Sequence, residues 1–122
     1  MGALLTGVSI REVGAPVAAS DSTDDNSDRI DMFGFNGVMF ICPIEDSTET
    51  GVATLTIEQN AADSDTGMTA LTGASATATS AADDDLNDKL LVVDVFKPTA
   101  RYVQAVRTSA DANIAFSTLT AV

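Results

Sequence analysis

The fold class this 122-residue sequence predicts is all-β: a small β-sandwich or barrel of about six to eight antiparallel strands with an extended N-terminal arm. Three observations predict it. Bulky apolar residues recur with a period of two in most stretches that carry them, the mark of half-buried strands, and no stretch shows the period of about 3.6 residues that a long helix needs. Leu, Ile, Val and Phe make up 30 of the 122 residues, above the roughly 20% at which a highly charged chain stays disordered, so a core can form. Ala, Thr, Ser and Gly supply another 52, small residues suited to tight contacts and turns. The length fits the prior of about 100 to 200 residues for one domain, and residues 1–122 are read as a single unit.

Each element follows from local pattern. Residues 3–10 and 12–18 read as extended segments, and Pro16 confines the second to an edge or to an arm, because proline has no ladder donor. Residues 1–20 are therefore expected to form an arm, and residues 20–28 an acidic loop. Ile30 to Phe35 and Gly37 to Ile44 are apolar runs joined through Phe35-Asn36-Gly37, a turn signal because Asn and Gly tolerate positive φ, and Pro43 ends the second run. Val52 to Gln59 alternates, with Ala53, Leu55 and Ile57 on one face. Residues 60–88 carry few bulky anchors and are expected to be a long loop excursion. Leu90 to Phe96, Arg101 to Arg107 and Asn113 to Val122 then read as a three-stranded meander. The expected core is Val38, Phe40, Leu55, Ile57, Leu91, Val93, Val95, Val103 and Phe116.

Composition excludes much chemistry. The sequence has no His, no Trp, one Cys and one Tyr, so no Ser-His-Asp triad, Cys-His pair or His-containing zinc site can be built within it. Carboxylate pairs could run glycoside hydrolysis, but with 18 acidic residues some pair always has the required spacing, and Trp platforms for a sugar are missing. No enzyme is expected, and no cofactor. Asp24, Asn26 and Asp28 match the first three ligand positions of an EF-hand calcium loop, yet Arg29 stands where Gly is needed and Phe35 where the bidentate Glu belongs. The clusters Asp63/Asp65 and Asp83–Asp85 with Asp88 are read as solvated loops. Cys42, the single thiol, is expected to be a small buried hydrophobe.

The formal net charge is −12. A nucleic-acid partner is not expected, because phosphate binding draws on clustered Lys and Arg, and an anionic membrane surface is repelled for the same reason. Met1 to Thr6 fits the N-myristoylation template, but one acyl chain without a polybasic patch binds membranes only marginally. The first residues also lack the basic region and long apolar run of a signal peptide, which predicts synthesis in the cytoplasm. Lys97 and Arg101 flank the Pro98 turn, and Arg101 and Arg107 are expected to pair with Asp94 or Asp111. A basic turn on an acidic protein suits contact with an acidic surface of another subunit.

Two segments carry a family likeness. Residues 31–41 (DMFGFNGVMFI) and 89–107 (KLLVVDVFKPTARYVQAVR), the string DVFKPTARYV above all, resemble small virion structural proteins of tailed bacteriophages, of the head decoration or capsid cement type. The resemblance implies a non-enzymatic β-rich protein on the capsid exterior, commonly a homotrimer, that clamps neighbouring major capsid subunits. The residues expected at subunit or capsid contacts are Leu4, Leu5, Val8, Ile10, Val13 and Val17 of the arm, with Lys97 and Arg101. A tail or head-tail component would share the resemblance. A free β-sandwich ligand-binding module would need a concave site that the sequence does not advertise.

Overall fold

The computed structural model describes residues 8–122, which form eleven strands and no helix. They are β1 (Arg11–Gly14), β2 (Val17–Ser20), β3 (Asp24–Asn26), β4 (Ile30–Asp31), β5 (Gly37–Ser47), β6 (Val52–Asn60), β7 (Thr69–Thr79), β8 (Leu90–Phe96), β9 (Tyr102–Ala110), β10 (Ile114–Phe116) and β11 (Leu119–Ala121). One sheet runs β1-β11-β5-β10-β2, with β8 paired to β5; the other runs β3-β9-β6-β7, with β4 paired to β9. Every pairing is antiparallel. The sheets do not close into a barrel, and their arrangement is sandwich-like. Strand number exceeds the expected six to eight because several runs break into short pieces where the chain changes neighbours.

The core follows the alternation. In β6 the residues Ala53, Leu55 and Ile57 are fully buried, and in β8 Leu91, Val93 and Val95 turn inward while Leu90, Val92, Asp94 and Phe96 turn out. All nine expected core residues are buried in one cluster, with Phe40 and Phe116 at 0% exposure. Pro43 does not end its run. It lies inside β5, where the neighbour changes from β11, paired at Phe40 and Ile41, to β10, paired from Ile44 onward. At that junction its carbonyl accepts from the Ser117 N–H, and no ladder donor is missed.

Four expectations are corrected. From residue 11 the N-terminal segment is no arm: Arg11 pairs with Ala121, Val17 with Phe116 and Ser20 with Ile114, so β1 and β2 are sheet strands. Within residues 60–88, β7 pairs along β6 with Ala74, Ala76 and Ala78 turned toward the core, and Leu86 anchors the following loop in the interior. Alanine is too small to show as a bulky anchor in sequence. The expected meander is absent, since β8 and β10 join β5 while β9 joins β6 in the opposite sheet; the turn 97–101 crosses between layers. Finally, the tight turn precedes Asn36: the Phe35 N–H donates to the Met32 carbonyl at 2.9 Å and Gly34 takes φ 86°, a conformation glycine adopts without Cβ cost.

Candidate functional site

Two features stand apart from the ordinary core: a charge inside it and an apolar strip outside it. The first is Arg107, on the inward face of β9 with Val103 and Ala105, and 0% exposed. Its Nη2 donates to Asp25 Oδ2 at 2.6 Å and to the Ala15 carbonyl at 2.6 Å, its Nε to the same Asp25 oxygen at 3.2 Å, and its Nη1 to the Ser117 carbonyl at 2.8 Å. Ala15 lies between β1 and β2, and Ser117 between β10 and β11. The guanidinium thus satisfies the carbonyls freed where two edge pairs break, and ties one sheet to the other. Its carbon also stands 5.8 Å from the centre of the Phe116 ring. A Cβ at Gly14 would meet Nη2 at 2.8 Å and Leu119 Cβ at 3.1 Å, so the close approach of this cross-sheet strap, Arg107 with Asp25, Ala15 and Ser117, favours glycine there. The expected pairing of Arg107 with Asp94 or Asp111 is therefore replaced by Asp25, from the loop read as a candidate calcium site.

That loop is otherwise occupied. Asn26 donates to Asp65 at 3.0 Å, Arg29 pairs with Asp63 at 2.6 Å, and buried Gln104 donates to both Glu58 and Asp65. Among the described residues no group of three or more His, Cys, Asp or Glu side chains is gathered to hold a metal ion. Cys42 is buried, and burial pushes its thiol up to about 11.

The second feature is the outward face of β8. Leu90, Val92 and Phe96 are 56%, 43% and 72% exposed. They lie beside half-buried Met39, Ile41 and Pro43 of β5, through the register Ile41↔Val92 and Pro43↔Leu90. Close strand approach at the end of this face is permitted by Gly37, opposite Phe96, where a Cβ would meet the Val95 carbonyl at 2.7 Å. Past Phe96 the chain turns at Lys97, whose φ is 52° and whose Nζ stands 5.3 Å over the Phe96 ring. The surface then continues across a shallow depression lined by Phe33, Phe35, Pro98 and Arg101. Arg101 grips Asp31 with Nε and Nη2, each at 2.8 Å, and its guanidinium lies 5.2 Å from the Phe33 ring and 5.3 Å from that of Tyr102. Hydrogen bonds from Arg101 first, then from the Phe33 N–H, hold the Asp31 carboxyl down to about 2.

The residues expected at contacts are dispersed. Leu4 and Leu5, with the myristoylation pattern, lie outside the described residues. Val8 and Ile10 are exposed, Val13 is 2% exposed core, and Val17 is half-buried against that core, so Val13 is unavailable to a partner. Lys97 and Arg101 do share the surface of Phe33 and Phe96, although Arg101 pairs with Asp31 rather than Asp94. Sequence reasoning missed Leu90, Val92, Phe96, Phe33 and Phe35 as surface residues. The alternation of β8 carried the signal, since placing Leu91, Val93 and Val95 inside forces Leu90, Val92 and Phe96 outside. The chain matches no protein-family model, and no curated protein matches it.

Proposed function

We propose that this protein is a non-enzymatic virion structural protein that binds the outer surface of an assembled phage capsid, as a homotrimer, and stabilises contacts between major capsid subunits. One observation carries the reading. The two segments that resemble capsid cement proteins, residues 31–41 and 89–107, lie side by side through the β5–β8 pairing, and together they hold Phe33, Phe35, Leu90, Val92 and Phe96. Only Val8 and Ile10 stand beside these five among the exposed large hydrophobics of the described residues. Exposed apolar side chains gathered in one area mark interaction surfaces more often than singly scattered ones. The partners in this reading are the major capsid protein and further copies of the chain; nucleic acid and membrane are not among them.

The test is fractionation of virions and of tail-free heads, with copy number measured against the major capsid protein. The reading expects the protein on both particles at a fixed ratio of one or more trimers per capsid symmetry element. Presence on tailed virions in a handful of copies, with none on tail-free heads, would identify a tail component instead.

A further inference from the structure

We infer that the free edge of β8 is the docking site for an extended acidic peptide segment of another protein, which adds to the sheet as an antiparallel strand. The inference rests on the capsid-binding reading and deepens it: the segment belongs to the particle's outer surface.

The edge is open. In an antiparallel pair, alternate residues bond to the neighbour and the others point away. The Ile44 N–H donates to the Lys89 carbonyl and the Lys97 N–H to the Asn36 carbonyl, so the odd-numbered residues of β8 serve β5. The backbone groups of Leu90, Val92, Asp94 and Phe96 therefore face outward, and among the described residues no strand but β5 pairs with β8. At the Asp94–Phe96 end a cleft separates β8 from Leu71–Ala74 of β7. Open edges are commonly blunted by charge or proline; here the only charge within the strand is Asp94, and the side chains around it are apolar.

Charge selects the occupant. Of the six cations, Arg29, Arg101 and Arg107 are ion-paired; of the three without an ion pair among the described residues, Arg11 donates to the Arg29 carbonyl, and Lys89 and Lys97 stand at the two ends of β8. Eight residues apart in an extended chain, they are about 27 Å from one another at ~3.4 Å per residue. On a chain of net charge −12, this strand is where a segment with carboxylates at matching separation is attracted. A second copy fits poorly, because a two-fold β8–β8 pair centred on Val93 sets Lys89 opposite Lys97, like charge against like. Asp94 further requires a polar residue opposite it.

The probe is a nine-residue peptide with Glu at both ends, Val opposite Leu90, Val92 and Phe96, Ser opposite Asp94, and Thr elsewhere; its control has Lys at both ends. Titrated into the full-length protein and followed by amide NMR, the Glu peptide is expected to shift the resonances of residues 89–97, with at least tenfold weaker binding for the control. Val92→Pro, which removes an outward donor and spares the β5 ladder, should abolish the shifts. The double variant Lys89→Glu with Lys97→Glu should weaken binding at least tenfold without any backbone change, which keeps the test valid if Val92→Pro misfolds. Equal binding of both peptides, shifts confined to other strands, or no shifts at all would overturn the inference. Capsid binding separates the two claims. Variants that still decorate capsids fully would sink this inference and leave the capsid reading standing, whereas peptide binding by a protein that never binds capsids would do the reverse.

Discussion

Arg107 and Phe96 sit on opposite sides of the ordinary surface rule, the guanidinium at 0% exposure and the phenyl ring at 72%. The buried charge is compensated: Asp25, Ala15 and Ser117 receive its donors, and the bonds fall where the sheet strands break. The exposed ring has the Lys97 ammonium 5.3 Å over it, and Leu90 and Val92 continue the strip along β8. Burying an unpaired charge costs several kcal/mol, so its compensation is a requirement of folding. Exposing an apolar side chain costs the fold far less, and a strip of them persists most readily where a partner covers it. The strap is thus explained within the chain, whereas the β8 face is left to the partner we propose.

The strongest way to break this comparison is at the strap. Arg107→Ala strands the Ala15 and Ser117 carbonyls, each at about 1 to 3 kcal/mol, and leaves Asp25, itself 37% exposed, without its partner, so a loss of about 2 to 5 kcal/mol is expected in urea unfolding; Phe40→Ala, a cavity in the same core, should cost about 3 to 5 kcal/mol. Deleting residues 2–19 removes Val13, Gly14 and the Ala15 carbonyl, so the product should fail to fold cooperatively by circular dichroism, whereas a dispensable arm would leave the melt unchanged. Gly14→Ala drives a methyl group toward Nη2 and should cost about 1 to 3 kcal/mol as overpacking. On the other face, Leu90→Thr, Val92→Thr and Phe96→Ser should each change stability by no more than ~0.5 kcal/mol while weakening capsid binding.

Two smaller effects sharpen the contrast. The Cys42 thiol, buried and pushed up to about 11, should react with a thiol reagent only as fast as the protein opens, and immediate labelling of the native state would place it at the surface. Asp31 is held at about 2 against an ordinary 3.8. A carboxyl depressed by folding stabilises above its unfolded value, and that contribution is lost as pH falls from near 4 through about 2. Wild-type protein should therefore lose slightly more stability than Asp31→Asn in that window, and identical acid titrations of the two would remove the Arg101–Asp31 pair from the account.

Much of this was legible in sequence where large side chains carry the alternation. β8 has the bounds its β-branched run suggests, and the Ala53-Leu55-Ile57 face of β6 is the buried one. Arg107 is expected to pair with Asp94 or Asp111, whereas it lies inward with Val103 and Ala105; its partner Asp25 comes from a polar loop 82 residues away, and no local pattern reveals such a pairing. β7 was obscured because its inward residues, Ala74, Ala76 and Ala78, are the smallest that can face a core. The N-terminal strands were obscured because Pro16 separates β1 from β2, a break that reads equally well as an edge strand or an arm.

The most direct measurement of the central claim is hydrogen exchange along β8, on the free protein and on the protein bound to capsids. In the free state Leu90, Val92, Asp94 and Phe96 should exchange fast and Leu91, Val93 and Val95 slowly, and on capsids the fast set should become protected. A bound protein whose β8 amides exchange as they do when free, with protection gained on another strand, would contradict the claim.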